Sequence, residues 1–163
     1  MISLKFDSIA VVLQEVPNEV SLAFNITGCT HRCPGCHSPH LWENTGADLL
    51  IKLDDYLDKY QDLITCVCFM GGEQNPDELR TALQKVRSRS LKTCLYSGSD
   101  NIEDFTSLID WLDYLKFGHY DENLGGLSSP TTNQRMYKIT EHGRGYDITH
   151  VFWNKKRGLD DSL

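Results

Sequence analysis

The sequence predicts an α/β protein, a partial βα barrel of about five or six strands with one side left open. Three observations predict it. Short apolar runs of strand length alternate with stretches whose apolar residues recur at helical spacing. Glycine-bearing turns close the strands. The chain has 163 residues, and a complete eight-fold βα barrel needs roughly 200 or more.

The elements follow in order. The first eighteen residues read as an N-terminal extension with one short strand, Ile9 to Val16. Val20 to Ile26 (VSLAFNI) is compact and apolar, a core strand. Thr27-Gly28 opens a cysteine-bearing loop that runs to about His40. Leu49, Leu50, Leu53, Tyr56, Leu57 and Tyr60 then fall at helical spacing. Thr65 to Met70 (TCVCFM) is a second core strand, followed at once by Gly71-Gly72-Glu73. Asn75-Pro76-Asp77-Glu78 is a helix start, with Asn75 at the N-cap, Pro76 at the first helical position and Glu78 placed to complete a capping box. Leu79, Ala82, Leu83 and Val86 supply the buried stripe of that helix.

Lys92 to Tyr96 is the third core strand, ended by Ser97-Gly98, and Phe105, Leu108, Ile109 and Leu112 form another helical stripe. Asp113 to Phe117 is the fourth strand, ending in Gly118. Alternation of this kind implies right-handed βαβ units and a mostly parallel sheet. Gly125 to Asn133 is a polar loop. Met136 to Ile139 and Thr149 to Trp153 read as two further strands joined around Gly143 and Gly145, and Asn154 to Leu163 as a frayed tail. One domain accounts for the length, with no repeat, low-complexity tract or linker.

Composition excludes several classes. The formal net charge is −7, and Lys and Arg are scattered rather than striped, against general nucleic-acid binding. No apolar stretch approaches the ~20 residues of a membrane helix. The Ile9–Leu13 run is too short for a signal peptide. Six cysteines without such a signal read as reduced and cytoplasmic, which favours metal or catalytic use over disulfides.

The chemistry-bearing residues share one edge. The cysteine loop follows the first core strand, Gly71-Gly72-Glu73 the second, Ser97-Gly98 the third, and Lys116 to Gly118 close the fourth. In parallel α/β sheets the C-terminal strand ends are where ligands bind. The loop carries Cys29, Cys33 and Cys36 as C-x3-C-x2-C, within Cys-Thr-His-Arg-Cys-Pro-Gly-Cys-His. Three thiolates at this spacing suit a 4Fe–4S cluster with one iron open to an outside ligand. A zinc site of Cys3His type, with His31, His37 or His40 as fourth ligand, is the alternative. Zinc motifs more often bring a second cysteine pair from elsewhere, and none is obvious here. The Gly-Gly pair lets a strand-end backbone approach a ligand, and Glu73 adds a carboxylate acceptor.

With both motifs at this separation, the sequence resembles the radical S-adenosylmethionine superfamily across roughly residues 20 to 153. Within it, the chain looks most like the activating proteins of anaerobic ribonucleoside-triphosphate reductases. The small size, the Pro34-Gly35-Cys36-His37 ending of the loop and the Asn133-Gln134-Arg135 segment carry that likeness. Gly35 stands where many superfamily members have an aromatic residue. The resemblance implies a partial barrel of radical-SAM type. It implies Cys29, Cys33 and Cys36 as ligands to three irons, with S-adenosylmethionine chelating the fourth. Gly71, Gly72 and Glu73 would receive the methionyl amino group, and Gly35, Cys36 and His37 would offer backbone to the adenosyl part. Ser97 is placed for the ribose or the carboxylate, and Lys116 for neutralising the carboxylate.

The activity so implied is activation of an anaerobic (class III) ribonucleotide reductase. Reductive cleavage of S-adenosylmethionine would give a 5′-deoxyadenosyl radical that takes hydrogen from a reductase glycine. The implied partners are the reductase and a flavodoxin- or ferredoxin-type electron donor, with a homodimer as a further way to close the open side. Two other readings keep part of the pattern. A radical enzyme acting on a small metabolite, or on another glycyl-radical enzyme, keeps both motifs. A zinc-binding interaction module keeps only the cysteines. Cys66, Cys68 and Cys94 lie in strands and read as packing residues.

Overall fold

The computed structural model describes residues 2–31, 33, 35, 39–140 and 143–153. The architecture is mixed α/β, with one open eight-stranded sheet in the order β3-β1-β2-β4-β5-β6-β7-β8. The strands are β1 (Lys5–Val12), β2 (Ser21–Ile26), β3 (Ala47–Asp48), β4 (Cys66–Met70), β5 (Lys92–Tyr96), β6 (Tyr114–Phe117), β7 (Arg135–Ile139) and β8 (Gly145–Asp147). Three α-helices accompany them, α1 (Leu49–Tyr60), α2 (Pro76–Arg87) and the single-turn α3 (His150–Trp153).

The sheet is less parallel than the sequence implies. β2, β4, β5 and β6 form the parallel centre, while β1, β3, β7 and β8 join antiparallel at the flanks. Each central crossover carries the chain one strand further in the same direction. Right-handed crossovers of that kind put the connecting helices on one face. Leu22, Phe24 and Ile26 of β2, Val67 and Phe69 of β4, and Leu95 of β5 pack there against the leucines of α1 and α2. The opposite face is a second cluster, in which Ala23, Cys66, Cys68, Cys94, Tyr114 and Met136 meet Val16 and Phe152.

Several expected boundaries move, each for a local reason. The first strand is Lys5–Val12, four residues earlier than expected, because Val16 is spent on the second cluster and Asn18 turns the chain with φ +64°. β3 is a two-residue strand with no apolar run to reveal it. The stripe at 105–112 is two 3-10 turns (Ile102–Phe105 and Ile109–Trp111) instead of one helix. Its end is tied down where the Thr93 hydroxyl donates to the Trp111 carbonyl at 2.6 Å. The closing strand is Gly145–Asp147, and the segment expected as strand from Thr149 is α3. Asp147 Oδ1 accepts from the Thr149 amide at 2.9 Å and hydroxyl at 2.6 Å, a turn that breaks the extended run.

Helix α2 starts where expected, with Asn75 accepting from the Glu78 amide at 3.3 Å. The reciprocal half of the capping box is absent. Glu78 Oε2 instead accepts from the Leu4 amide at 2.7 Å, and the Asn75 amide donates to the Gly72 carbonyl at 3.1 Å. The cap therefore ties α2 to the start of β1. Among the described residues no helix is long and apolar enough to cross a membrane. The tail Asn154–Leu163 lies outside the described residues.

Candidate iron–sulfur site

Because β2, β4, β5 and β6 run parallel, their C-terminal ends lie along one edge, and the segments that follow them meet there. The cysteine loop leaves β2 through a braced stem. Thr27 Oγ1 donates to the Thr45 carbonyl at 2.6 Å, the Gly28 amide to Glu43 and the Cys29 amide to Leu41, both at 3.1 Å. Gln74 joins this stem to the turn after β4. Its Nε2 donates to the Thr27 carbonyl at 2.9 Å, and its Oε1 accepts from the Gly72 amide at 3.2 Å. Sequence reasoning missed Gln74. Its position next to Gly71-Gly72-Glu73 was the only available signal.

Gly71 and Gly72 have φ of +105° and +114°, which a side chain rarely adopts. The Gly71 amide still extends the parallel ladder by donating to Tyr96 at 2.8 Å. The turn that results carries Glu73 back over the strand ends, where its side chain is 12% exposed. Glu73 Oε1 lies 2.7 Å from His31 Nε2 and accepts from the Ser97 hydroxyl at 2.8 Å. Glu73 Oε2 is buried and has no hydrogen-bond partner among the described residues. Burial opposes ionisation of Glu73. The hydrogen bonds from His31, its own backbone amide and Ser97 outweigh that and hold its carboxyl below the usual range. The same contact raises the His31 imidazole above its ordinary value.

Lys116, on β6, is 9% exposed. Its Nζ donates to the Ser97 and Gly118 carbonyls, each at 3.3 Å, and lies 5.8 Å from the centre of the Tyr96 ring. Burial pulls its pKa down to about 8, against the attraction of Glu73 and the loop cysteines. Cys29, Met70, Glu73, Tyr96, Ser97 and Lys116 all line one open recess, with an empty volume of about 570 Å³. Of the expected site residues, Cys29, Gly71, Glu73, Ser97 and Lys116 line this recess.

The remaining predicted residues fall as follows. Cys29 and Cys33 are half-buried, and neither is in a disulfide. Cys36 and His37 lie outside the described residues. Gly35 turns with φ +73°, and a Cβ there would come within 2.5 Å of Glu122 Oε2, so it lies against that carboxylate. Ser97 is committed to Glu73 and to the Ser99 amide, which donates to it at 3.0 Å. Among the described residues no group of three His, Cys, Asp or Glu side chains is placed to hold a metal ion.

The Asn133-Gln134-Arg135 segment builds the far side of this edge. Asn133 Nδ2 donates to the His119 carbonyl at 3.1 Å, and Gln134 Nε2 to the Gly118 carbonyl at 3.2 Å. Arg135 reaches back to Asp147 of β8 at 3.6 Å. His119, which the sequence left unassigned, is held through Nδ1 by Asp100 at 2.9 Å.

No curated protein and no solved structure matches the chain. Residues 19–139 match the family described as a 4Fe–4S single cluster domain, from just before β2 to the end of β7. That span contains the cysteine loop, the Gly-Gly-Glu turn, Ser97 and Lys116, and it favours iron–sulfur over zinc. The chain belongs to the 4Fe–4S single-cluster domain family.

Proposed function

We propose that this protein is a radical S-adenosylmethionine enzyme, a single radical-SAM domain with a partial barrel, that activates an anaerobic ribonucleotide reductase. One observation carries the reading. Glu73, whose buried Oε2 has no hydrogen-bond partner among the described residues, and Lys116, whose ammonium is buried, line the same recess as Cys29. An acceptor and a cation side by side complement a zwitterionic amino acid, whose ammonium pairs with Glu73 and whose carboxylate pairs with Lys116. The methionyl end of S-adenosylmethionine is such a group.

In this reading Cys29, Cys33 and Cys36 hold the cluster. When bound, the cluster would supply the one electron for reductive cleavage of S-adenosylmethionine, the chemistry through which hydrogen would be taken from a glycine of the reductase. The electron comes from a flavodoxin- or ferredoxin-type donor. The protein's own residues bind and orient. Glu73 and Lys116 grip the amino acid, and the positive φ of Gly71 and Gly72 lets the strand-end backbone approach it without a side chain in the way. Gly35, Cys36 and His37 offer backbone to the adenosyl part. Ser97 acts on the ligand through Glu73, to which its hydroxyl is committed.

The test is anaerobic reconstitution with iron and sulfide, then electron paramagnetic resonance of the reduced protein with and without S-adenosylmethionine. A 4Fe–4S signal that changes on addition supports direct ligation at an open iron. A signal indifferent to S-adenosylmethionine overturns the reading. Incubation of the reduced protein with an anaerobic reductase is the second arm, and a glycyl radical doublet on the reductase is the expected result.

A further inference from the structure

His31 lies within the cysteine loop, and the cluster reading leaves its ring unused although that ring meets Glu73, which lines the recess. Its Nε2 lies 2.7 Å from Glu73 Oε1, across 42 residues of sequence. Facing a carboxylate, that nitrogen carries the proton and donates. The ring is seated on Gly98. A Cβ at Gly98 would come within 2.9 Å of His31 Cδ2 and 3.1 Å of Cγ, and the three atoms it would meet first all belong to His31. Gly98 is not in the positive-φ region that disfavours a side chain, and the close contacts an added Cβ would meet first are with the His31 ring. Glu73 Oε1 is thereby doubly engaged, by His31 and Ser97, while the buried Oε2 has no hydrogen-bond partner among the described residues.

We infer that His31 is a positioning residue, seated on Gly98, that fixes the Glu73 carboxylate so that Oε2 receives the ammonium of the bound amino-acid ligand. This rests on the S-adenosylmethionine reading of the recess. It makes the cysteine loop, the turn after β4 and the turn after β5 one mechanical unit. Glycine at position 98 is then required by the ring above it rather than by its own backbone.

The test is a mutant cycle with two readouts. In reconstituted protein, His31→Ala keeps its iron and sulfide content but binds S-adenosylmethionine about tenfold more weakly, the usual consequence of losing a charged hydrogen bond. His31→Gln, which retains an N–H donor at similar reach, recovers most of that loss. Gly98→Ala weakens binding in the wild-type background and adds nothing in the His31→Ala background, because the ring it displaces is gone. Affinity for 5′-deoxyadenosine, which lacks the ammonium, is unchanged throughout. In cluster-free protein the thermal midpoints of the same variants are non-additive in the same sense.

Three results overturn the inference. They are loss of the cluster in His31→Ala, unchanged S-adenosylmethionine affinity in that variant, or strict additivity of the two substitutions. Each is distinct from failure of the parent reading, which shows as a wild-type cluster that ignores S-adenosylmethionine.

Discussion

The protein carries two sets of three cysteines, and their surroundings are opposite. Cys29, Cys33 and Cys36 follow β2 in the sequence; Cys29 and Cys33 are half-buried, and Cys29 lines the recess. Cys66, Cys68 and Cys94 lie on neighbouring strands, fully buried and facing Ala23, Tyr114 and Met136. Burial disfavours the charged thiolate and pushes the Cys66 and Cys94 thiols far above their ordinary value of 9.0. Metal ligation requires the thiolate. One residue type therefore stands in two environments, according to whether the chain leaves it in a strand or carries it past the strand end.

The largest expected effect separates the two sets outright. Cys33→Ala is expected to abolish the 4Fe–4S cluster, whereas Cys68→Ala retains full iron and sulfide after reconstitution. A full cluster in Cys33→Ala would remove the distinction. Next is Glu73→Ala, expected to leave the cluster assembled while weakening S-adenosylmethionine binding by about ten- to a hundredfold, in line with ~1.5–3 kcal/mol for a charged hydrogen bond. Equilibrium dialysis under anaerobic conditions measures it.

On the strand side, Cys68→Ser buries a hydroxyl among apolar neighbours. It is expected to cost about 1–3 kcal/mol in denaturant unfolding, with the cluster unaffected. The smallest effect concerns Glu19, which crosses the same face. Its Oε2 accepts from Tyr114 and from Lys92, each at 3.0 Å. Burial opposes its ionisation, and these partners overcome that and lower its pKa from the usual 4.5. A carboxyl lowered on folding contributes stability above its unfolded pKa and loses it as pH falls through the folded value. Glu19→Gln is therefore expected to be slightly less stable at neutral pH, with a flatter loss of stability below about pH 4.5. A wild-type acid limb identical to the variant's would show that Glu19 does not contribute.

The parallel centre of the fold was legible because its signals are local and strong. Apolar runs such as Leu22–Ile26 and Val67–Met70 end in glycine turns, and α2 opens on a cap-and-proline start. The antiparallel flanks were read poorly. β3 and β8 are two and three residues long, with no buried apolar pattern, and only pairing with a neighbour makes them strands. The stripe at 105–112 fits a 3-10 turn or an α-helix equally well, since residues three apart meet in both. At the recess, Cys29 stood out in the sequence by the cysteine spacing, and Gly71, Glu73, Ser97 and Lys116 by their places at strand ends. Gln74 and the His31–Glu73 contact did not stand out, since their partners are distant in sequence.

By itself the sequence determined what is set within a few residues. That comprises the cysteine spacing, the glycines that permit positive φ, the helix caps, and the order in which strand ends present chemistry. The tertiary structure alone decided which side chains meet. It gave Glu78 to the Leu4 amide 74 residues away and Glu73 to His31. It also set one cysteine trio in a packed face and left Cys29 of the other lining a recess. Spacing constrains neighbours along the chain, whereas burial and partnership depend on strand order and register, which come from the packing of the whole sheet.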